Sequence, residues 1–299
     1  MESVPSITTP RIRVTGICPA AHPHALAELL RTHPAPVWLA IHEEAKQADT
    51  FAEDVAFFHA ASGGKTALEV IVFPEAQTGN REMREAFNAA SDRLAVLSKL
   101  RGLHRSTTKS GTLLILATPA ALLQAVPPVE DFAAREIELK RGATQPFQGL
   151  LDLLRSYDYD SEAVCEAPGQ YAVRGGIVDV YPITAQQPYR LDFFGDTLEE
   201  IRVLDPVTQR STDAIEHIVL TAAPKLHAHP ALASLSDYLN PDTHAAVFEP
   251  KAIEELFHSL DTQATAFLPK LMRACSAIIG LGDLDLATDF LEGTEQEET

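Results

Sequence analysis

The sequence predicts an α/β protein in which a parallel-sheet domain is interrupted by an α+β domain with a mostly antiparallel sheet. Three observations carry this expectation. Near-continuous apolar strands at 36–41, 67–73 and 112–117 alternate with helical segments, the pattern of a parallel sheet covered on both faces. Tandem prolines at Pro127 and Pro128 then stop helix and strand alike. Beyond them short strands follow one another to Leu204, after which strand–helix alternation resumes, so the second domain reads as inserted between two pieces of the first.

Taken in order, 25–31 is a short helix with one apolar face, and 36–41 is a buried strand through Val37, Trp38 and Leu39. A charged helix over 42–61 has Ala52, Val55, Ala56 and Phe57 to bury, and strand 67–73 follows. Met83, Phe87, Leu94 and Leu97 recur at helical spacing and predict a long amphipathic helix over 81–100. Strand 112–117 leads to a helix over 119–126, whose Pro119 suits a first turn. In the second domain 132–140 alternates as a strand and 146–157 is a helix. Strand 243–249 and helices 250–260 and 264–274 return to the first pattern. The expected division is 1–130, 131–212, 213–290 and an acidic tail over 291–299.

A chain of 299 residues, 45% hydrophobic, can bury a sizeable core. No apolar run approaches the roughly 20 residues of a membrane helix, and the first residues lack the charged start and apolar stretch of a signal peptide. Cys18, Cys165 and Cys275 fit no metal or disulfide spacing, so a reducing cytoplasm is the expected location. The net charge is −18, and residues 211–299 carry 4 basic against 15 acidic side chains. Duplex binding needs several phosphate contacts from Lys and Arg, so the expected partner is a protein and not DNA.

The segment 170–211 is the most informative. Side chains alternate faces along a strand, so Leu191 and Phe193 share one face while Arg190, Asp192 and Phe194 share the other. In the preceding run Val173 faces inward if Ala172 and Arg174 face out, and Val178 and Val180 continue the apolar row after Gly175-Gly176. Arginine beside an aromatic on an open face is the composition of an interface hot spot. The plainer reading makes Arg190 and Asp192 a surface ion pair of little worth and turns Phe194 into the core at a bulge near Gly195.

The strings Tyr171-Ala172-Val173-Arg174-Gly175-Gly176, Tyr189-Arg190-Leu191-Asp192-Phe193-Phe194-Gly195-Asp196 and Asp205-Pro206-Val207-Thr208-Gln209-Arg210-Ser211 resemble the second domain of the transcription-repair coupling factor family, Mfd. The resemblance lies in its N-terminal module, which is related to the excision-repair protein UvrB. It extends more loosely from Arg13 to Phe290 and is densest over 132–211. It implies that this domain binds UvrA through Arg174, Arg190 and Phe194. It further implies a recruiting module whose polymerase-binding and ATP-driven motor domains lie beyond residue 299, so that RNA polymerase, DNA, ATP and magnesium would be engaged only there. A fragment, a truncated product and a free-standing adaptor that competes with UvrB for UvrA all fit the sequence.

A phosphate-binding loop needs Gly-x-x-x-x-Gly-Lys-Ser/Thr between a strand and a helix. In that context stand Gly16, Ala21, His22 and Pro23 at the four defining positions, so all but the first are lost. Proline has neither an N–H for phosphate nor a hydroxyl for magnesium. The segment Gly63-Gly64-Lys65-Thr66 has His59 where the first glycine belongs and follows a helix instead of a strand. The strand end Ala245-Ala246-Val247-Phe248-Glu249-Pro250 has one acid where a magnesium-binding segment has an Asp-Glu pair. With the resemblance, these features imply a degenerate P-loop NTPase-like, RecA-like first domain without nucleotide. UvrB also carries a long aromatic hairpin after the strand equivalent to 67–73, and the short 74–80 segment has no room for one. The rival expectation is a UvrB-like, DNA-dependent ATPase. The pairs His22/His24 and His227/His229, and the cluster Asp283, Asp285 and Asp289, lack the further ligands of a zinc or calcium site and read as solvated loops, so no metal is expected.

Overall fold

The computed structural model describes residues 10–43, 48–63, 66–76, 83–105, 111–223, 233–260 and 267–283. In chain order its elements begin β1 (Arg11–Val14), α1 (His22–Thr32), β2 (Val37–Ile41), α2 (Ala48–Ala61), β3 (Leu68–Phe73), α3 (Met83–Arg105), β4 (Thr112–Ala117) and α4 (Pro119–Leu123). They continue with α5 (Val129–Ala133), β5 (Glu136–Lys140), α6 (Phe147–Ser156), β6 (Asp160–Ser161), β7 (Gln170–Arg174), β8 (Ile177–Val180), β9 (Tyr189–Phe194), β10 (Thr197–Leu204), β11 (Ser211–Ile215) and β12 (His217–Thr221). The last are β13 (Thr243–Phe248), α7 (Pro250–Leu260), α8 (Phe267–Ala274) and β14 (Ala277–Leu281). The chain divides into two compact units, one from Met1–Ala76, Lys99–Val126 and Leu232–Thr299, the other from Gln77–Ser98 and Pro127–Ala231.

The first unit is built on a six-stranded sheet in the order β1-β14-β13-β2-β4-β3, parallel throughout. Sequence explains which strands sit in the middle. The runs Val-Trp-Leu-Ala-Ile of β2 and Thr-Leu-Leu-Ile-Leu-Ala of β4 carry no charge and are buried along their whole length, as strands covered on both faces must be. The strands with charged residues, Arg11 and Arg13 in β1 and Glu69 in β3, are the two edges. The buried run β14 was not anticipated, because a five-residue apolar stretch after a helix has no periodicity of its own.

The second unit has a six-stranded sheet in the order β11-β10-β9-β8-β7-β6, antiparallel except for the β6–β7 pair, and a separate antiparallel ribbon of β12 with β5. Helix α6 lays Leu150, Leu151 and Leu154 against Tyr171, Val178, Val180, Leu191, Phe193, Leu198 and Ile201. Its leucines at i, i+1 and i+4 form one apolar stripe. One face of the large sheet is therefore core, and the opposite face is open in part, since Ala172 and Asp179 on it are buried.

Three local expectations change. Residues 132–140 do not form one strand: Phe132 belongs to the short helix α5, following the Pro127-Pro128 stop, and the strand begins at Glu136. Helix α4 stops at Leu123, because Val126 is drawn into a bridge with Ala233. The helix expected over 42–61 is described from Ala48. Gly64, Lys65, His227, His229, Asp285, Asp289 and the 291–299 tail lie outside the described residues, as do 77–82 of the segment after β3.

Candidate partner-binding face

Two tight hairpins shape the open face of the large sheet. Gly175 and Gly176 join β7 to β8, and Gly195 and Asp196 join β9 to β10. The first glycine of each loop has positive φ, +63° at Gly175 and +61° at Gly195. Such φ at the first central position suits the two-residue loops that match strand twist. Gly176 is fixed for a different reason: a Cβ there would lie 2.8 Å from the Phe193 carbonyl oxygen, which is backbone and cannot turn aside.

Register then decides what the face displays. Ala172, Asp179, Arg190 and Arg202 stand side by side across β7–β10, and Arg174, Ile177, Asp192 and Glu200 form the next row. Phe194 follows at the hairpin end, paired with Thr197. The register shifts between Leu198 and Glu200, so Glu199 is the extra residue of a bulge. That bulge lets Leu198 and Ile201, three apart, both reach the core.

Phe194 is 77% exposed while its neighbour Phe193 is 7% exposed, so the bulge falls on β10 and Phe194 points to solvent. Leu191 is likewise buried and Asp192 exposed, as alternation predicts. In β7 exposure departs from facing: Val173 is 39% exposed and Ala172 is buried. Register does place Val173 in the core row with Val178, but β6 pairs only with Gln170 and Tyr171, leaving Val173 on an uncovered sheet edge. Ala172 pairs with the sealed Asp179, whose charge acts on the buried Cys165. Cys165 Sγ donates to the Gln170 carbonyl oxygen at 3.3 Å, and the Cys165 carbonyl accepts from Gln209 Nε2 at 3.3 Å. Burial, assisted by Asp179, pushes the Cys165 thiol up to about 12, so it stays protonated and unreactive.

Arg190 is not the partner of Asp192. Its Nε and Nη2 donate to the two oxygens of Asp179 at 2.6 and 2.7 Å, and Nη1 lies 3.4 Å from Ser211 Oγ. Asp179 is 1% exposed, and its hydrogen bonds hold the Arg190 guanidinium further above its ordinary range. Arg202 instead donates from Nε to Glu200 at 2.8 Å. The Arg174 guanidinium donates to the Ala163 carbonyl at 3.0 Å and has no carboxylate within ion-pairing distance among the described residues. Arg190, Asp192, Glu200, Arg202 and Ser211 line one recess on this face. Parity singled out Arg190 and Phe194 but missed Asp179, whose strand pairs with β9 across an eight-residue connection that leaves register open in sequence.

In the first unit, the exposed segment after β1 is held by backbone hydrogen bonds. Gly16 has φ of +74°, and the N–H groups of Gly16, Ile17 and Ala21 donate to the carbonyls of Asp283, Gly282 and Cys18. His22 opens α1 and is buried, with its ring 4.9 Å from that of Phe248 and its Nε2 3.5 Å from Glu249 Oε1. Pro23 follows it, also buried. Burial lowers the His22 pKa, and Glu249 opposes the shift without reversing it. His22 and His24 stand on the first turn of a helix and not in a loop, and they diverge, with His24 edge-on to Phe58 at 5.1 Å. Among the described residues no three His, Cys, Asp or Glu side chains converge as a metal site, and no helix is long and apolar enough to cross a membrane.

The face lies within residues 137–226, which match the family of the UvrB interaction domain. Beyond that domain, the chain is 31% identical over 214 residues to the transcription-repair-coupling factor of Myxococcus xanthus, covering 71% of this chain and 17% of that protein. It is 28% identical over 140 residues to the Bacillus subtilis protein of the same name, and 31% identical over 128 residues to that of Escherichia coli. These stretches cover 47% and 43% of this chain and 11% of each relative. The chain thus spans less than a fifth of the length of the curated relatives it matches. It is a homologue of the transcription-repair-coupling factors that carries a UvrB interaction domain.

Proposed function

We propose that this chain is a UvrB-like docking module that recruits UvrA, and that it does so through Arg174, Arg190 and Phe194. The observation that carries the reading is their convergence on one open sheet face, with Phe194 77% exposed at its end. Arg174 supplies a guanidinium free of any carboxylate among the described residues, and Phe194 supplies an apolar anchor. Charge-assisted hydrogen bonds and a desolvated aromatic are the usual centre of a protein interface. In the whole protein, RNA polymerase, DNA and ATP would be engaged by regions other than this chain.

In the same reading the first unit is a RecA-like scaffold that takes no nucleotide. At the phosphate-loop positions Gly16, Ala21, His22 and Pro23, the amides of Gly16, Ile17 and Ala21 already bond to backbone carbonyls and the His22 ring stands beside Glu249. The test has two arms. Purified chain and UvrA are run together on a sizing column, where co-elution that disappears in Phe194→Ala supports docking and independent elution refutes it. Calorimetric titration with ATP and magnesium addresses the scaffold. Micromolar binding there would favour the ATPase alternative.

A further inference from the structure

Across β9 and β10, like charges stand directly opposite one another. Arg190 faces Arg202, and Asp192 faces Glu200. All four line the same recess, together with Ser211. Like charges directly opposed on neighbouring strands destabilise a sheet. Exchanging the residues at positions 200 and 202 would set Arg against Asp192 and Glu against Arg190, giving two attractive pairs from the same composition. On β9 and β10 the order present gives instead a positive pair beside a negative pair, with Asp179 on β8 extending the first row and Arg174 on β7 ending the second.

Relief inside the chain is partial. Arg190 is satisfied by Asp179 along its Nε–Nη2 edge, which leaves Nη1 turned toward Ser211. Arg202 rests on Glu200, and both side chains are 45% exposed, a pairing of little worth in water. Asp192 acts on the Arg190 guanidinium through its charge, as the weakest of the influences there, and makes no ion pair among the described residues. The uncovered rows would gain most from a surface that brings the opposite charge to each and removes water from both.

We propose that the two rows are a charge register for the docking partner. A carboxylate of UvrA sits over Arg190 and Arg202, with the Ser211 hydroxyl as a further donor, and a basic side chain of UvrA sits over Asp192 and Glu200. This rests on the face being the UvrA-docking surface, and it adds Arg202, Glu200, Asp192 and Ser211 to the residues that recognise the partner. It also explains why the sheet keeps an order that its own stability disfavours.

The test is the exchange variant Glu200→Arg/Arg202→Glu, titrated against UvrA beside the native chain, Arg202→Gln and Phe194→Ala, with a thermal melt of each. The exchange is expected to melt at or above the native temperature and to bind about a hundredfold more weakly, and Arg202→Gln about tenfold more weakly, one charged hydrogen bond being worth about a factor of ten. An exchange variant that binds within twofold of native, while Phe194→Ala is weakened, overturns the register alone. One that melts lower also overturns it, because the present order would then serve the sheet itself. If the native chain does not bind UvrA at all, the docking reading falls and the register with it.

Discussion

Arg190 and Asp179 form a two-pronged ion pair across β8 and β9, with the carboxylate all but sealed from solvent and the guanidinium reaching the open face. Arg190 therefore serves two ends: it neutralises a buried charge and presents its remaining edge to the recess. Removing one partner of a buried pair strands the other, at a cost of about 3 kcal/mol. Arg190→Ala, which strands the sealed carboxylate, should lower the stability of the chain by about that amount in urea denaturation, and Asp179→Ala, which leaves a guanidinium within reach of water, by less. The joint replacement Arg190→Met/Asp179→Leu should lose much less than the sum. Additive losses would show that the two residues act independently. A binding defect in Arg190→Ala is thus interpretable only beside its unfolding curve.

Phe194 separates binding from folding. It touches solvent over most of its surface and contributes little to the core that Phe193 anchors on the other side. Phe194→Ala should leave the urea midpoint within experimental error, since exposed positions seldom change stability by more than about 0.5 kcal/mol. If it is an interface anchor, its truncation should weaken UvrA binding by about 2 kcal/mol, roughly thirtyfold. A lowered midpoint with unchanged affinity would assign it to the fold instead.

Much of this architecture is legible in the sequence because it rests on local pattern. The uncharged runs at 37–41 and 112–117 announce central strands, and the Leu191/Phe193 against Asp192/Phe194 alternation announces which face is core. What is illegible depends on distance. The Asp179–Arg190 pair requires the register between strands joined by residues 181–188, and nothing local sets it. The Glu199 bulge changes the parity of β10 partway, so alternation read from Thr197 would misplace Arg202. Val173 obeys parity yet is exposed, because the strand beside it is only two residues long. The short-range part of the site was readable, and the part that depends on pairing was not.

Gly176 tests the hairpin geometry directly. Its φ is not of the left-handed kind, so the demand for glycine comes only from the Phe193 carbonyl, 2.8 Å from where a Cβ would lie. That carbonyl belongs to a strand held on both sides, by β8 and β10. Gly176→Ala should cost about 1–3 kcal/mol, the range for overpacking, and should disturb the neighbouring Phe194. Gly102, with open space around its Cβ position, is the control: Gly102→Ala lies within a helix and should stabilise slightly. Equal effects at the two positions would remove the steric argument.

Two histidines of the first unit, the buried His22 and the half-buried His244, predict how stability responds to acid. Burial lowers the pKa of His22 and of His244 below 6.5, so the folded chain favours their neutral forms. Below the unfolded value the unfolded chain binds more protons, and stability must fall as pH drops through about 6.5 toward the lowered folded values. Each unit of difference between the two states is worth about 1.4 kcal/mol. The Glu249 carboxylate reduces the effect at His22 without reversing it. Urea midpoints at pH 7.5 and pH 5.5 should therefore diverge in the native chain, and diverge less in His22→Gln and in His244→Gln. A native His22 that titrates above 6.5 by proton NMR would reverse the sign, making protonation stabilising through Glu249 and assigning His22 to an ion pair and not to a neutral plug beside Phe248.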